Sequence, residues 1–207
     1  MIVQECNVQA FPTTLLVISM AATKKPKSRS ATREALVRAA SQVVIDKGVE
    51  ALTLDAVAKQ AGVSKGGLLY HFPNKDALIG GMVEQLIQDF ETVLQAEFDQ
   101  DDAPGTPGHW VRAYIRATLR FSKQSLALIA RLSSIAVDSP HVLKAAEIYE
   151  QQWRQRVETS GIDPTKATII LLATDGLWLS ELFQVGTLDE TRLTQVVETL
   201  LAMTRTN

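Results

Sequence analysis

The sequence predicts an all-α protein of about nine helices, with an N-terminal three-helix unit containing a helix-turn-helix (29–90) joined to a larger helical domain (91–207). Three observations lead there. Almost every segment after Ser30 repeats its apolar residues at helical spacing, and no run alternates at period 2 between turn signals. Capping residues recur at helix starts, with glycine or proline breaks between them. Through Lys75 the chain holds 10 Lys/Arg against 5 Asp/Glu, a net +5, while the remainder holds 11 against 18, a net −7. A basic first third on an acidic chain suggests a polyanion partner there and a different task downstream.

Each element has its own warrant. The first helix is expected over 32–47, with Leu36, Ala39, Ala40, Val43 and Val44 on one face and Gly48 as its stop. Thr53 caps a short helix ending at Ala61, and Asp55 sits favourably in its first turn. Gly62, Val63 and Ser64 form a turn, and Ser64 caps a second short helix from Lys65 to about His71. After Pro73, Asn74 caps a long helix to about Asp99 whose Leu78, Met82, Leu86, Phe90 and Leu94 repeat every four residues. Residues 99–108 (DQDDAPGTPG) form the clearest loop. Helices follow at about 109–123 and 125–136. Ser139 and Pro140 start another as cap and first position, carrying Leu143, Ala146, Tyr149, Trp153 and Val157 toward a stop at Gly161. Asp163 and Pro164 repeat that signal for a very apolar helix to about Val185, and the last helix spans roughly 189–203.

Residues 1–28 are read as a disordered extension. Their apolar run 11–22 (FPTTLLVISMAA) is too short to span a bilayer. Glu5 precedes it where a signal peptide carries positive charge, and the Lys/Arg cluster follows instead. Met20 is the expected natural start, with residues 1–19 an appendage. Of the 207 residues 46% are hydrophobic and 21% charged, which suits one large domain or two small ones. The single Cys6 excludes an intramolecular disulfide and a multi-cysteine zinc site, so the reducing cytoplasm is the natural setting.

The two short helices carry the chemistry. Val57, Ala58, Ala61, Val63, Leu68 and Phe72 supply a small core, and Gly62 takes the backbone shape that a sharp turn demands. The other side of the second helix then exposes Lys65, Gly66, Gly67 and Tyr70. Two glycines in so short a helix cost about 1 kcal/mol each relative to alanine. That cost makes sense where backbone must approach another surface closely, as in a DNA major groove.

From about Arg29 to Phe90 the chain resembles the TetR family of transcriptional regulators. The resemblance is carried by the Gly48 to Thr53 spacing, the AGVSKG turn, the His71-Phe72 pair and the following NKDAL, in order over some sixty residues. It implies a homodimeric, sequence-specific DNA-binding regulator, usually a repressor released from a palindromic operator by a small molecule. Thr53 would touch phosphate through its hydroxyl and the helix start. Ser64, Lys65, Gly66 and Gly67 would meet base edges and backbone, and His71 and Lys75 would contact phosphates. The family usually carries tyrosine two residues before that histidine, where this chain has Leu69. Tyr70, on the face opposite Leu68 and Phe72, is then expected to supply the aromatic contact, the alternative being a solvated surface residue.

The C-terminal domain would hold the dimer and sense the ligand. Residues 167–183 (ATIILLATDGLWLSELF) are apolar around most of the circumference, which suits pairing with a second copy through about 164–203. Asp175 and Glu181 interrupt that run and argue against a membrane span. Trp110, Tyr114, Phe121, Trp153 and Trp178 are candidates to line a bundle cavity, or are ordinary core. His109 and His141 are isolated, so no metal site or cofactor is expected. The sequence holds no catalytic Ser/His/Asp arrangement, paired carboxylates, Walker loop or dinucleotide fingerprint, which speaks against an enzyme. A helix-turn-helix protein acting as a ligand-free architectural module is the other alternative, and a fully packed C-terminal domain would favour it.

Overall fold

The computed structural model describes residues 29–121, 123–136 and 139–205, and the extension expected at 1–28 lies outside the described residues. Among the described residues there are nine α-helices and no strand. The helices are α1 (Arg29–Lys47), α2 (Leu54–Ala61), α3 (Lys65–His71), α4 (Lys75–Asp99), α5 (His109–Arg120), α6 (Lys123–Ala136), α7 (Pro140–Glu158), α8 (Pro164–Phe183) and α9 (Glu190–Met203). A 3-10 turn, Val49–Ala51, links α1 to α2.

Local chemistry sets most of the boundaries. Thr53, Ser64, Asn74, Asp163 and Asp189 each accept a hydrogen bond from a backbone N–H in the first turn of the helix that follows, at a typical worth of about 1 kcal/mol per cap. Gly62 ends α2 in the left-handed conformation (φ 67°), where its N–H donates to the carbonyls of Ala58 and Lys59. Gln184 takes the same conformation (φ 53°) after α8, which therefore stops before the expected Val185. Ser139 holds the cap position of α7 but makes no cap bond. Its hydroxyl donates instead to Asp76 at 2.6 Å, tying the start of α7 to the start of α4. The side chains of Leu143 and Ala146, expected on the inner face of α7, lie outside the described residues.

The N-terminal helices form a head around Leu36, Val37, Val43 and Val44 of α1, Val57 of α2, Leu68 and Phe72 at α3, and Leu78 and Met82 of α4. Full burial of such side chains is worth about 1.5–3 kcal/mol each. This core does not end at residue 90: Leu128 and Leu132 of α6 belong to it, with Ile129 and Val142 packed alongside. Helix α4 continues out of the head and packs along α5. A second core joins Val111 and Ile115 of α5 to Ile162, Ala167, Ile170 and Leu200.

The loop after α4 closes around an ion pair. Arg112 is fully buried, with its Nη2 2.8 Å from Oδ1 of the equally buried Asp101. The same guanidinium donates to the carbonyls of Ala103 and Pro107, both at 2.9 Å. Arg116 adds a bond to Asp101 at 2.7 Å, and Arg205 beyond α9 reaches Asp102 at 2.6 Å. No helix among the described residues is long and apolar enough to cross a membrane.

Candidate nucleic-acid interface and internal cavity

Helices α2 and α3 form the helix-turn-helix around Gly62. Leu68 is fully buried and Phe72 nearly so, which fixes which side of α3 faces inward. At about 100° per residue, Gly66 and Tyr70 then share the opposite face. Ser64, Lys65, Gly66, Gly67 and Tyr70 are all exposed. Tyr70 is 66% exposed against 37% for Leu69, so the tyrosine, not the leucine, stands clear of the core.

The Ser64 hydroxyl accepts from the Gly67 N–H at 3.1 Å, and a Cβ on Gly67 would crowd that hydroxyl at 3.3 Å. A Cβ on Gly66 would meet nothing within 4 Å, so that position presents bare backbone to the outside. Lys65 Nζ lies 3.0 Å from Asp55 Oδ2, a link between α3 and the start of α2. Thr53 is exposed at the start of α2, its oxygen accepting from the Ala56 N–H at 3.1 Å. His71 is half-buried, edge-on to the Tyr70 ring, and Lys75 is exposed at the first position of α4. The Arg29 guanidinium sits 5.0 Å from the centre of the Tyr70 ring, placing a second cation beside this face that the sequence did not single out.

A cavity of about 650 Å³ lies between the head and the C-terminal helices. Of the five aromatic candidates, Tyr114, Phe121, Trp153 and Trp178 line it. Trp110 does not; it stacks on Tyr114 from behind, with centroids 5.4 Å apart, and borders a separate shallow pocket with Arg156. Phe90 is the hub of the wall, edge-on to Tyr114, Phe121 and Trp153 at 5.5–6.0 Å. Leu86, Ile129, Leu132 and Val142 line the cavity as well, and the same four residues pack in the head core.

Several polar groups punctuate this wall. Asp175 of α8 accepts a 2.6 Å hydrogen bond from the Tyr114 hydroxyl. Burial pushes the Asp175 carboxyl up, partly opposed by that bond. Burial and then the neighbouring Asp175 charge raise the Tyr114 phenol above its ordinary value. Thr118 Oγ1 and Trp153 Nε1 are buried with no hydrogen-bond partner among the described residues. Sequence reasoning missed Phe90, Thr118 and Asp175 as cavity residues. An acid inside a helix as apolar as α8 was the available signal for the last.

The description of the bacterial regulatory proteins of the tetR family matches residues 36–82, and that of the tetracyclin repressor-like C-terminal domain matches residues 108–205. The chain belongs to the TetR family. Among its relatives are the transcriptional regulator RutR of Escherichia coli, 34% identical over 100 residues (48% of this chain and 45% of RutR), and BetI of Rhizobium meliloti, 30% identical over 128 residues (60% and 62%). The chain thus matches between about half and three fifths of the length of these curated relatives. They are transcriptional regulators, not enzymes. A TetR-family member from Streptomyces coelicolor superposes with a TM-score of 0.61 at 26% identity, covering 82% of this chain and 97% of that one. The multidrug binding protein EbrR, solved with ethidium, gives 0.61 at 25% identity with the same coverage.

Proposed function

We propose that the chain is a sequence-specific DNA-binding transcriptional regulator of the cytoplasm, a homodimeric repressor released from a palindromic operator by a small molecule. The observation that carries this reading is α3, whose Leu68 and Phe72 are locked into the head while Ser64, Lys65, Gly66, Gly67 and Tyr70 face outward. Bare backbone at Gly66 permits close approach to a groove, and Lys75 and His71 stand at the adjoining helix ends for phosphate.

Helix α8 supports the dimer. Ile169, Leu172, Leu179 and Phe183 are 44–66% exposed, and with exposed Gly176 they recur at spacings of three and four. That stripe is the seam along which two helices pack. The cavity supports a ligand, against the alternative of a ligand-free architectural module, because its size suits a drug-sized molecule. EbrR, a structural neighbour, has been solved with the small molecule ethidium.

The direct test combines light scattering with footprinting on the DNA flanking the gene. A dimer protecting two symmetric half-sites is expected, their centres about 34–36 Å apart or somewhat more. A monomer that still binds operator tightly would overturn the dimer.

Tyr70 is expected to donate its hydroxyl to a phosphate. Tyr70→Phe then weakens operator binding by about 0.5–1.5 kcal/mol, and Tyr70→Ala by more, in a fluorescence-anisotropy titration. If both folded variants bind like the parent, Tyr70 is a solvated surface residue.

A further inference from the structure

The chemistry of the cavity wall narrows what it can hold. Among the described residues that line it there is no Lys, Arg or His, and Asp175 is the one carboxylate. Its hydrogen-bond partner there is the neutral Tyr114 hydroxyl, so an ionised Asp175 keeps its negative charge uncompensated against apolar surroundings. Such a charge is costly unless a cation pairs with it. The rings of Phe90, Tyr114, Trp153 and Trp178 line the same cavity, and an aromatic face is the negative side of the ring quadrupole and attracts positive charge. Carboxylate and rings therefore favour the same occupant. An anion would meet both with repulsion. A neutral molecule would leave the carboxylate unmatched, and burial already pushes that group toward its protonated form.

We propose that the effector is an organic cation, a quaternary or protonated amine on an apolar frame, with its charge held between Asp175 and the ring faces of Tyr114 and Trp153. This rests on the cavity being the effector site. Asp175 also anchors Tyr114 of α5 to α8. A purely structural role for the carboxylate would be confined to that bond and would not distinguish one ligand charge from another.

The test uses two probes of nearly identical shape, (para-hydroxyphenyl)trimethylammonium and para-tert-butylphenol, which differ in a charged nitrogen for a carbon. Binding is followed in the full-length protein by the indole N–H resonances of its three tryptophans. Trp153 and Trp178, on the wall, should shift with either probe, and Trp110, outside it, should shift less. The ratio of the two affinities isolates the charge. In Asp175→Asn that ratio is expected to fall about tenfold, equivalent to about 1.4 kcal/mol. Asp175→Glu keeps the charge and should keep most of the preference, which separates loss of charge from loss of fold. An unchanged ratio in Asp175→Asn, with both probes still bound, overturns the cation assignment and leaves the effector cavity standing. If neither probe moves Trp153 or Trp178 in the parent protein, the cavity reading falls and the assignment falls with it.

Discussion

Arg112→Met is expected to lower the stability of the protein by about 3–5 kcal/mol, because it removes one partner of a buried ion pair and leaves the other. Arg112 and Asp101 are both fully shielded from solvent. The guanidinium also holds the Ala103 and Pro107 carbonyls, which would lose their bonds inside the fold. Methionine fills part of the volume, so the loss would report the missing charge and hydrogen bonds more than a void. Chemical denaturation of parent and variant is the measurement. A loss below about 1 kcal/mol, the range of exposed pairs, would mean that Arg116, which also bonds Asp101, suffices alone. Arg112→Met combined with Asp101→Leu should be milder than the single change, since no charge is then stranded. The acid dependence follows from Asp101. Burial would raise its pKa, but hydrogen bonds from Arg112, the Ala103 N–H and Arg116 outweigh that and hold the carboxyl well below the usual range. A lowered pKa gives stability that is present above the unfolded value and lost as pH falls through the folded one. The ion pair's contribution in the parent should therefore hold steady down to mildly acid pH and be lost only in strong acid.

Phe72→Ala should cost about 3–5 kcal/mol by opening a cavity in the head, and it should take operator binding with it because Phe72 seats the end of α3. Its partner is Gly81 of α4. A Cβ built there would stand 2.6 Å from Phe72 Cε1 and 3.1 Å from Cζ, closer than atoms approach without something shifting. Gly81→Ala alone is thus expected to destabilise by about 1–3 kcal/mol through overpacking. In the Phe72→Ala background the ring is gone and only the end of the flexible Arg33 side chain, at 3.3 Å, stays close, so alanine's helix preference, up to about 1 kcal/mol over glycine, should make the same change stabilising. The reversal of sign is the test, read from thermal melts of the four proteins in the cycle. Additive effects would show that the ring and Gly81 do not meet as described.

The helix-turn-helix was legible because it is local. Thr53, Ser64 and Asn74 cap the helices that their own sequence neighbours form, and the inner face of α3 follows from Leu68 and Phe72 lying four apart. Even Tyr70 over Leu69 could be read from angular position alone. Long-range choices were not legible. Ser139 carries the signature of a cap, yet its hydroxyl goes to Asp76, 63 residues away in sequence. Trp110 and Trp153 look equivalent as large residues on body helices, but the crossing of α5 with α7 and α8 puts one behind Tyr114 and the other on the cavity wall. Asp175 read as an interruption of an apolar helix, and only the position of Tyr114 on α5 gives that interruption a partner. The resemblance ended near Phe90, whereas the head core runs on into α6.

That continuation bears on energetics. Leu86, Ile129, Leu132 and Val142 are at once wall of the cavity and packing of the head, so the two regions are expected to unfold in a single transition. A molecule bound in the cavity stabilises whatever must stay folded to hold it, by RT ln(1 + [L]/Kd). Through the shared wall, that increment reaches the helices that carry the recognition surface. The cooperative unit of this protein is therefore wider than the division at residue 90 implies, and excising the head there would strip it of two buried leucines, Leu128 and Leu132.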